Sequence, residues 1–409
     1  MFKTYKSYLE AILFEFEQEK IYHDAFKIKS LIKYIPRAVV IYNNYNKYLF
    51  LINYLLFVPL WILWPILINP LLVLYFTIKW LFPVLKSSKI SIPQNVYLLL
   101  SDIKFFSYLD SSEKNYPEAI INFPFHNAQS KFNTKLKSVN FFQITDFTQM
   151  ISSIFLALLT PWLLLFSKKR YLMLFSYSSF YWYWTYNSFI NKNINSIWLS
   201  NHYDRWLKLV DVLPNVNQKT MIQHGQMEYV ETETNKIYFP VFTNKLQYIN
   251  SIYVVDDYSK KYFLDMMSDK STTEFFNIKS KLDVINWPTN FHLKVKILIL
   301  GHQNDFTFHQ ALIHKLNQSN TFDIAYKTHP QQNLDFNLND IWLVSISNQF
   351  PKSDYVISYG SSLDNEIKQL LPNTIIINYS FNDKFNEGEA INSIELQLNK
   401  LLQLEKSIN

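Results

Sequence analysis

The chain has 409 residues, 49% of them hydrophobic and 18% aromatic, which is long enough for two domains and a further segment and too polar for a membrane protein from end to end. It has no cysteine, so a disulfide framework, thiol catalysis and thiolate metal sites are all excluded. The net charge of +6 lies within residues 1–95, which hold 11 Lys/Arg against 5 Asp/Glu; with no basic reading helix in sight, that bias suits an anionic membrane surface and not nucleic acid.

Residues 1–45 read as amphipathic helix of mixed charge. Acids inside the apolar periodicity, and the lack of a small-residue cleavage site, separate this start from a secretory signal. From Tyr48 to Ile78 there is no charged residue, with Lys47 before the run and Lys79, Lys86 and Lys89 after it. The run exceeds the roughly 20 residues of one spanning helix. Pro59, Pro65 and Pro70 interrupt it, and Asn69-Pro70 predicts a turn, so a hairpin of two short helices is expected. A second apolar run, Ile151–Phe166, contains Pro161 and ends in Ser167-Lys168-Lys169-Arg170. Trp and Tyr crowd the stretch after it, as side chains at a membrane–water interface do. Buried core helices of a large soluble protein would give the same two runs.

Between these runs, Val96–Phe106 and Ala119–Phe125 predict strands. If they share a sheet with the strands after residue 190, Ile151–Phe166 begins and ends on one side of a bilayer and cannot cross it alone. A re-entrant or interfacial attachment is then expected.

From Asn195 the pattern is regular. A strand, a polar loop and a helix start bring His202, Asp204 and Arg205, which are secondary site candidates. Thr220–Ile222 is a strand that delivers Gln223, His224 and Gly225; Ile252–Val255 runs into a helix with Asp256, Asp257 and Ser259 as available caps. A break near Asp269–Leu293 marks a domain boundary. Three further buried strands follow, Lys296–Leu300, Phe322–Tyr326 and Tyr355–Ser358, each ended by a polar cluster: Gly301-His302-Gln303-Asn304, Lys327-Thr328-His329-Pro330, and Gly360-Ser361-Ser362 with Asp364 and Glu366. Strands alternating with helices imply parallel βαβ units. The expected fold is α/β: two Rossmann-like domains facing a cleft, preceded by a hydrophobic helical segment for membrane association. The boundaries are 1–90 for that segment, 91–270 for an acceptor domain with a hydrophobic insertion near 150–186, 291–380 for a nucleotide-binding domain, and 381–409 for a closing amphipathic helix that packs back across the halves.

Ligands of open α/β sheets sit beyond the carboxyl ends of the strands, where these clusters fall. Only 4 glycines occur in the chain, and three of them, Gly225, Gly301 and Gly360, follow predicted strands. Any one is explained by a tight turn; all three beside His or Ser-Ser point to backbone that approaches a ligand. His224, near neutrality in pKa, suits a general base that takes a proton from an acceptor hydroxyl, against the plain reading of a loop hydrogen bond. Lys327 and His329 can neutralise a phosphate or diphosphate as a nucleotide leaves, against a structural His-Pro turn. Ser361 and Ser362, at a helix start, offer an anion site, and Glu366 can accept two ribose hydroxyls; Ser362 and Asp364 serve equally as an ordinary cap. Gly301 and His302 would abut the phosphates. His309 and His314 stand five apart, off one helix face, so no metal site is expected from them.

In order, Gln223-His224-Gly225, Lys327-Thr328-His329-Pro330 and Gly360-Ser361-Ser362 with Glu366 resemble the motifs of the two-domain GT-B transferases of bacterial surface-polysaccharide assembly. That group includes the CDP-glycerol glycerophosphotransferases of teichoic acid synthesis and the polysialyl- and capsule transferases. The likeness covers about residues 190–380. It implies His224 as catalytic base, with Gly301, His302, Lys327, His329, Gly360, Ser361, Ser362 and Glu366 on the donor. It also implies transfer of a sugar or polyol phosphate from a nucleotide-activated donor to a lipid-linked glycan, with no metal or other cofactor, at the cytoplasmic face of the bacterial inner membrane. Gln223 departs from the Trp usual in the glycerophosphotransferases. A soluble nucleotide-sugar epimerase of the same fold, and a non-catalytic membrane-bound module that binds nucleotide or glycan, are the alternatives.

Overall fold

The computed structural model describes residues 1–26, 59, 61–100, 106, 109, 115–124, 136–201, 204–223, 241–269, 271–279, 282–292, 295–301, 306–328, 341–344, 349–359, 363–379 and 386–408. The chain forms two compact units, Met1–Lys279 and Ser280–Asn409.

The first unit is built on seven parallel strands: β1 (Asn95–Leu99), β2 (Ala119–Asn122), β3 (Lys137–Asn140), β4 (Ile194–Ser200), β5 (Val216–Ile222), β6 (Ser251–Val254) and β7 (Glu274–Asn277). Their order is β3-β2-β1-β4-β5-β6-β7, so the winding reverses between β1 and β4. Strand alternation builds two cores from one strand: Val96 and Leu98 face one cluster, Tyr97 and Leu99 the other. Burial on both faces is why β1 reads as an unbroken apolar run.

Around the larger core lie α1 (Phe2–Phe26), α2 (Asn69–Lys86), α3 (Phe141–Ile144), α4 (Phe147–Leu165), α5 (Ser179–Phe189), α6 (Arg205–Val212) and α7 (Asp257–Met266). The helix α1 is part of this unit, with Tyr8, Ala11, Ile12 and Phe14 fully buried. Residues 27–58, which include the first third of the uncharged run, lie outside the described residues.

Two sequence expectations are corrected. No turn occurs at Asn69-Pro70: Trp61–Lys86 is one helical rod, with a π turn over Trp64–Ile68 leading into α2. Pro65 and Pro70 bracket the π turn, where the ordinary ladder is interrupted and Asn69 N–H donates to Trp64 O, and the Asn69 amide, buried, donates to Ala157 O of α4 at 3.0 Å. The aromatic stretch after residue 170 is not an interfacial belt either. Trp182, Tyr183, Trp184 and Tyr186 of α5 are wholly buried, and their polar atoms are met inside: Trp184 Nε1 by Thr145 Oγ1 at 2.7 Å, Trp182 Nε1 by Arg205 O at 3.1 Å.

The surface is apolar elsewhere. Along α2, Leu71, Leu74, Ile78, Phe82 and Leu85 are each more than half exposed, and Phe155 of α4 and Phe166 just after it add to them. Both helices are long and apolar enough to cross a bilayer by composition. Because β1–β3 precede α4 and β4–β7 follow it in one parallel sheet, α4 begins and ends on the same side and does not cross alone. Lys89 pins this corner: its ammonium donates to Val84 O (3.0 Å), Phe142 O (3.0 Å) and Thr145 O (2.7 Å), and burial draws its pKa down. Lys89→Met is expected to destabilise the first unit by about 1–3 kcal/mol, because three carbonyls lose a charged donor. A urea titration that shows no shift in midpoint would refute this.

The second unit holds five parallel strands in the order β11-β10-β9-β13-β14: β9 (Val295–Leu300), β10 (Phe322–Lys327), β11 (Trp342–Val344), β13 (Tyr355–Ser358) and β14 (Ile375–Asn378). A separate parallel pair, β8 (Asp283–Ile285) with β12 (Gln349–Pro351), packs beside it. Helices α8 (Phe306–Asn317) and α10 (Glu387–Ile408) cover one face through Leu312, Ile394 and Leu398. Helix α9 (Leu363–Leu370) covers the other through Ile367.

Candidate functional site

In the second unit the strand order reverses between β9 and β13, and a crevice at the carboxyl ends of the strands is the standard ligand position of such a sheet. Two of the donor-site candidates meet there. The Gly301 N–H, just past β9, donates to Lys327 O at the end of β10 at 2.8 Å. Beside it, Thr328 N donates to Val344 O at 3.4 Å, continuing the ladder toward β11.

Strand alternation sets the direction of Lys327. Tyr326 turns into the core under α8, where His309 Nδ1 lies 3.2 Å from the Tyr326 hydroxyl and His309 Nε2 lies 2.6 Å from the Tyr379 hydroxyl. His309 is thus a core histidine held by two phenols. Lys327 turns to the opposite face, 5% exposed, with its ammonium 5.1 Å from the centre of the Phe350 ring. Burial lowers its pKa to about 8. Helix α9 packs on this same face, its Ile367 in one cluster with Phe350, and carries Glu366, buried, in its first turn. Gly301, Lys327 and Glu366 are therefore distributed around one switch point. His302, His329, Gly360, Ser361 and Ser362 lie outside the described residues.

In the first unit the secondary candidates divide. Asp204 caps α6: its carboxylate accepts from Trp206 N and from Asn201 Nδ2, each at 2.8 Å. Burial, and then the neighbouring Glu15 carboxylate, raise its pKa to about 7. Arg205 is in the core, 2% exposed, where its guanidinium pairs with Glu15, donates to Ser178 Oγ and, at 2.9 Å, to Phe175 O, and stacks on the Phe175 and Tyr177 rings. Burial alone would pull its pKa down, but the Glu15 carboxylate outweighs that and holds it up. Arg205 thereby joins α1 to α6 inside the first unit, and among the described residues its Nη2 has no hydrogen-bond partner.

Gln223 is wholly buried; its Nε2 donates to Ser259 Oγ at 2.9 Å and its Oε1 accepts from Val255 N at 3.0 Å. Those bonds fix the carboxyl end of β5 to the start of α7, and so fix the point from which the chain departs toward His224. A tryptophan could make only one of the two. His202, His224 and Gly225 lie outside the described residues.

Sequence reasoning missed the part of α1 in this arrangement. Besides Glu15, the Glu17 carboxylate accepts from Thr243 N (2.6 Å), Thr243 Oγ1 (2.6 Å), Asn244 N (2.8 Å) and Asn244 Nδ2 (3.0 Å), and Gln18 Oε1 accepts from the Tyr262 hydroxyl at 3.2 Å. One helix thereby anchors the start of α6, the loop before β6, and α7. The signal was present in the sequence as acids on the apolar side of α1, a place where a carboxylate stays only if it is paired.

No family model matches the sequence, and no curated protein sequence matches it. Among solved structures the chain is similar to one of the wall teichoic acid polymerase TagF, a variant soaked with CDPG, at 11% identity and a TM-score of 0.38, over 79% of this chain and 81% of that one.

Proposed function

We propose that the chain is a membrane-associated transferase of GT-B type that moves a sugar or polyol phosphate from a nucleotide-activated donor to a lipid-linked surface glycan. The observation that carries this is the second unit's switch point, where the strand order reverses and where Gly301 and a buried, partly neutralised lysine sit side by side at the carboxyl ends of β9 and β10. A diphosphate suits this position because a lysine at the carboxyl ends of the strands, beside the Gly301 backbone, adds positive charge where a phosphate would sit. In this reading His302, His329, Gly360, Ser361 and Ser362 complete the phosphate contacts and Glu366 accepts the ribose hydroxyls. His224 takes the proton of the acceptor hydroxyl as its oxygen attacks the donor. The bond to the nucleotide breaks, and Lys327 stabilises the charge that develops on the leaving phosphate, with no metal required. Attachment is peripheral, through the exposed faces of α2 and α4, on the cytoplasmic side where activated donors are made.

Titrating the full chain with CMP, CDP, UDP and GDP, followed by their conjugates, tests the donor half. A clear preference for one nucleotide supports the reading, and no response to any removes it. For the other half, His224→Ala is expected to lower turnover by about 10²–10⁴-fold while nucleotide affinity stays within twofold of the parent. Unchanged turnover would remove His224 from the mechanism. A parent protein that binds nucleotide but turns over no donor is the non-catalytic module instead.

A further inference from the structure

A groove of about 590 Å³ opens on the first unit between the start of α1, the first half of α4 and the end of α5. Its volume falls within the roughly 300–1,000 Å³ of small-molecule sites. Phe147, Ile151, Phe155 and Leu156 make its walls, and Thr4 and Asn187 are among its few polar groups. Asn187 is held in place, its Nδ2 donating to Ser152 Oγ (3.0 Å) and Ser153 Oγ (2.9 Å).

Three features choose the occupant. The walls are not isolated: Phe147 and Phe155, 42% and 62% exposed, begin an apolar stripe that runs along α4 through Leu159, Trp162 and Phe166, beside the exposed stripe of α2. A molecule entering from that side stays in contact with hydrocarbon-like surface throughout. Exposed Lys3 and Lys6 flank Thr4 in the first turns of α1, and the acids near the groove are Glu10, a turn further along α1, and Asp146 at the start of α4. The polar groups of the groove are hydroxyls and an amide, which suit a lipid's interfacial region and cannot neutralise a buried ion. An extended apolar peptide would need backbone partners that these walls do not offer.

We propose that this groove takes a single hydrocarbon chain of an anionic membrane lipid, with the headgroup toward Lys3 and Lys6. The proposal rests on the membrane-bound transferase reading, and it gives that reading a place where the lipid part of an acceptor is held while its glycan is extended.

The test uses the full chain and a defined probe, C16 lysophosphatidylglycerol, which has one chain and one negative charge. Wild-type protein is expected to retain one molecule of the probe in native mass spectrometry. Ile151→Trp and Thr148→Trp, which fill the groove from one helix face, are expected to weaken binding at least tenfold with the melting temperature unchanged. C16 lysophosphatidylcholine is expected to bind more weakly than the anionic probe. Equal retention by the wild type and both variants, or none by the wild type, overturns the groove. Sedimentation of the same proteins with phosphatidylcholine–phosphatidylglycerol vesicles reads the attachment surface separately: the filled variants still sediment if only the groove is lost. Wild-type protein that retains the probe but ignores vesicles leaves the groove standing and removes the membrane attachment.

Discussion

Arg205→Met is expected to destabilise the first unit by about 3–5 kcal/mol, the largest stability effect of any single change considered for this protein. The guanidinium and the Glu15 carboxylate are both 2% exposed, so removing one takes from the other the opposite charge it is paired with in the interior. The same substitution also takes the donor from Phe175 O and Ser178 Oγ. Glu15→Gln is expected to be nearly as costly, because it leaves the guanidinium uncompensated. The double variant Glu15→Leu/Arg205→Met is expected to recover more than half of either loss, since a buried pair often does little better than a well-packed apolar pair. Urea unfolding followed by a signal from the first unit gives the numbers. A loss below 1 kcal/mol for Arg205→Met would show that water reaches the pair. Nucleotide affinity, which this reading assigns to the second unit, should not change in any of the three variants.

The contrast between Arg205 and Lys327 shows what could be read from the sequence. Both are cations just past a predicted strand, and both were site candidates. What separates them is their surroundings: the Glu15 carboxylate of α1 bonds Arg205, the Phe350 ring is among the groups beside Lys327, and neither neighbour is encoded locally. The strands themselves were legible where they are buried on both faces. Lys296–Leu300, Phe322–Tyr326 and Tyr355–Ser358 match β9, β10 and β13 to within a residue because a short run rich in β-branched and aromatic residues, with at most one charge, has few other uses. Asp256 as the cap of α7 was legible for the same local reason, its carboxylate accepting from Ser259 N at 2.7 Å. By contrast β3, with one buried residue in Lys-Ser-Val-Asn, and the exposed edge strand β7 carry no such pattern and are set by their neighbours. The aromatic stretch was misread because composition does not separate an interfacial Trp from a core Trp whose N–H has found a buried acceptor. Asn69-Pro70 was misread because the amide that stops it from being a turn is bonded to a helix 88 residues away in sequence.

Lys327→Met is expected to weaken nucleotide diphosphate binding by about 10–150-fold, the worth of one charge-assisted contact of about 1.5–3 kcal/mol. The pH dependence is the sharper part of the prediction. With a folded pKa near 8 against 10.5 for the free side chain, Lys327 is half deprotonated at mildly alkaline pH in the unliganded protein. Binding of an anion favours the protonated form, so wild-type affinity should be flat below pH 7 and fall as pH rises through about 8, with one proton taken up per nucleotide bound on the alkaline side. The sign for folding is opposite. Between pH 8 and 10.5 the unfolded chain holds this proton and the folded unit does not, so this group's contribution to stability rises with pH across that window. Lys327→Arg, charged throughout the range, should abolish the alkaline loss of affinity even if its larger head costs some binding at neutral pH. Calorimetric titrations of CDP or UDP at pH 6.5, 7.5, 8.5 and 9.5 in buffers of different ionisation heat measure affinity and proton uptake together. An affinity independent of pH in the wild type, or an alkaline loss that persists in Lys327→Met, would take Lys327 out of the phosphate site and leave it as a core lysine over Phe350.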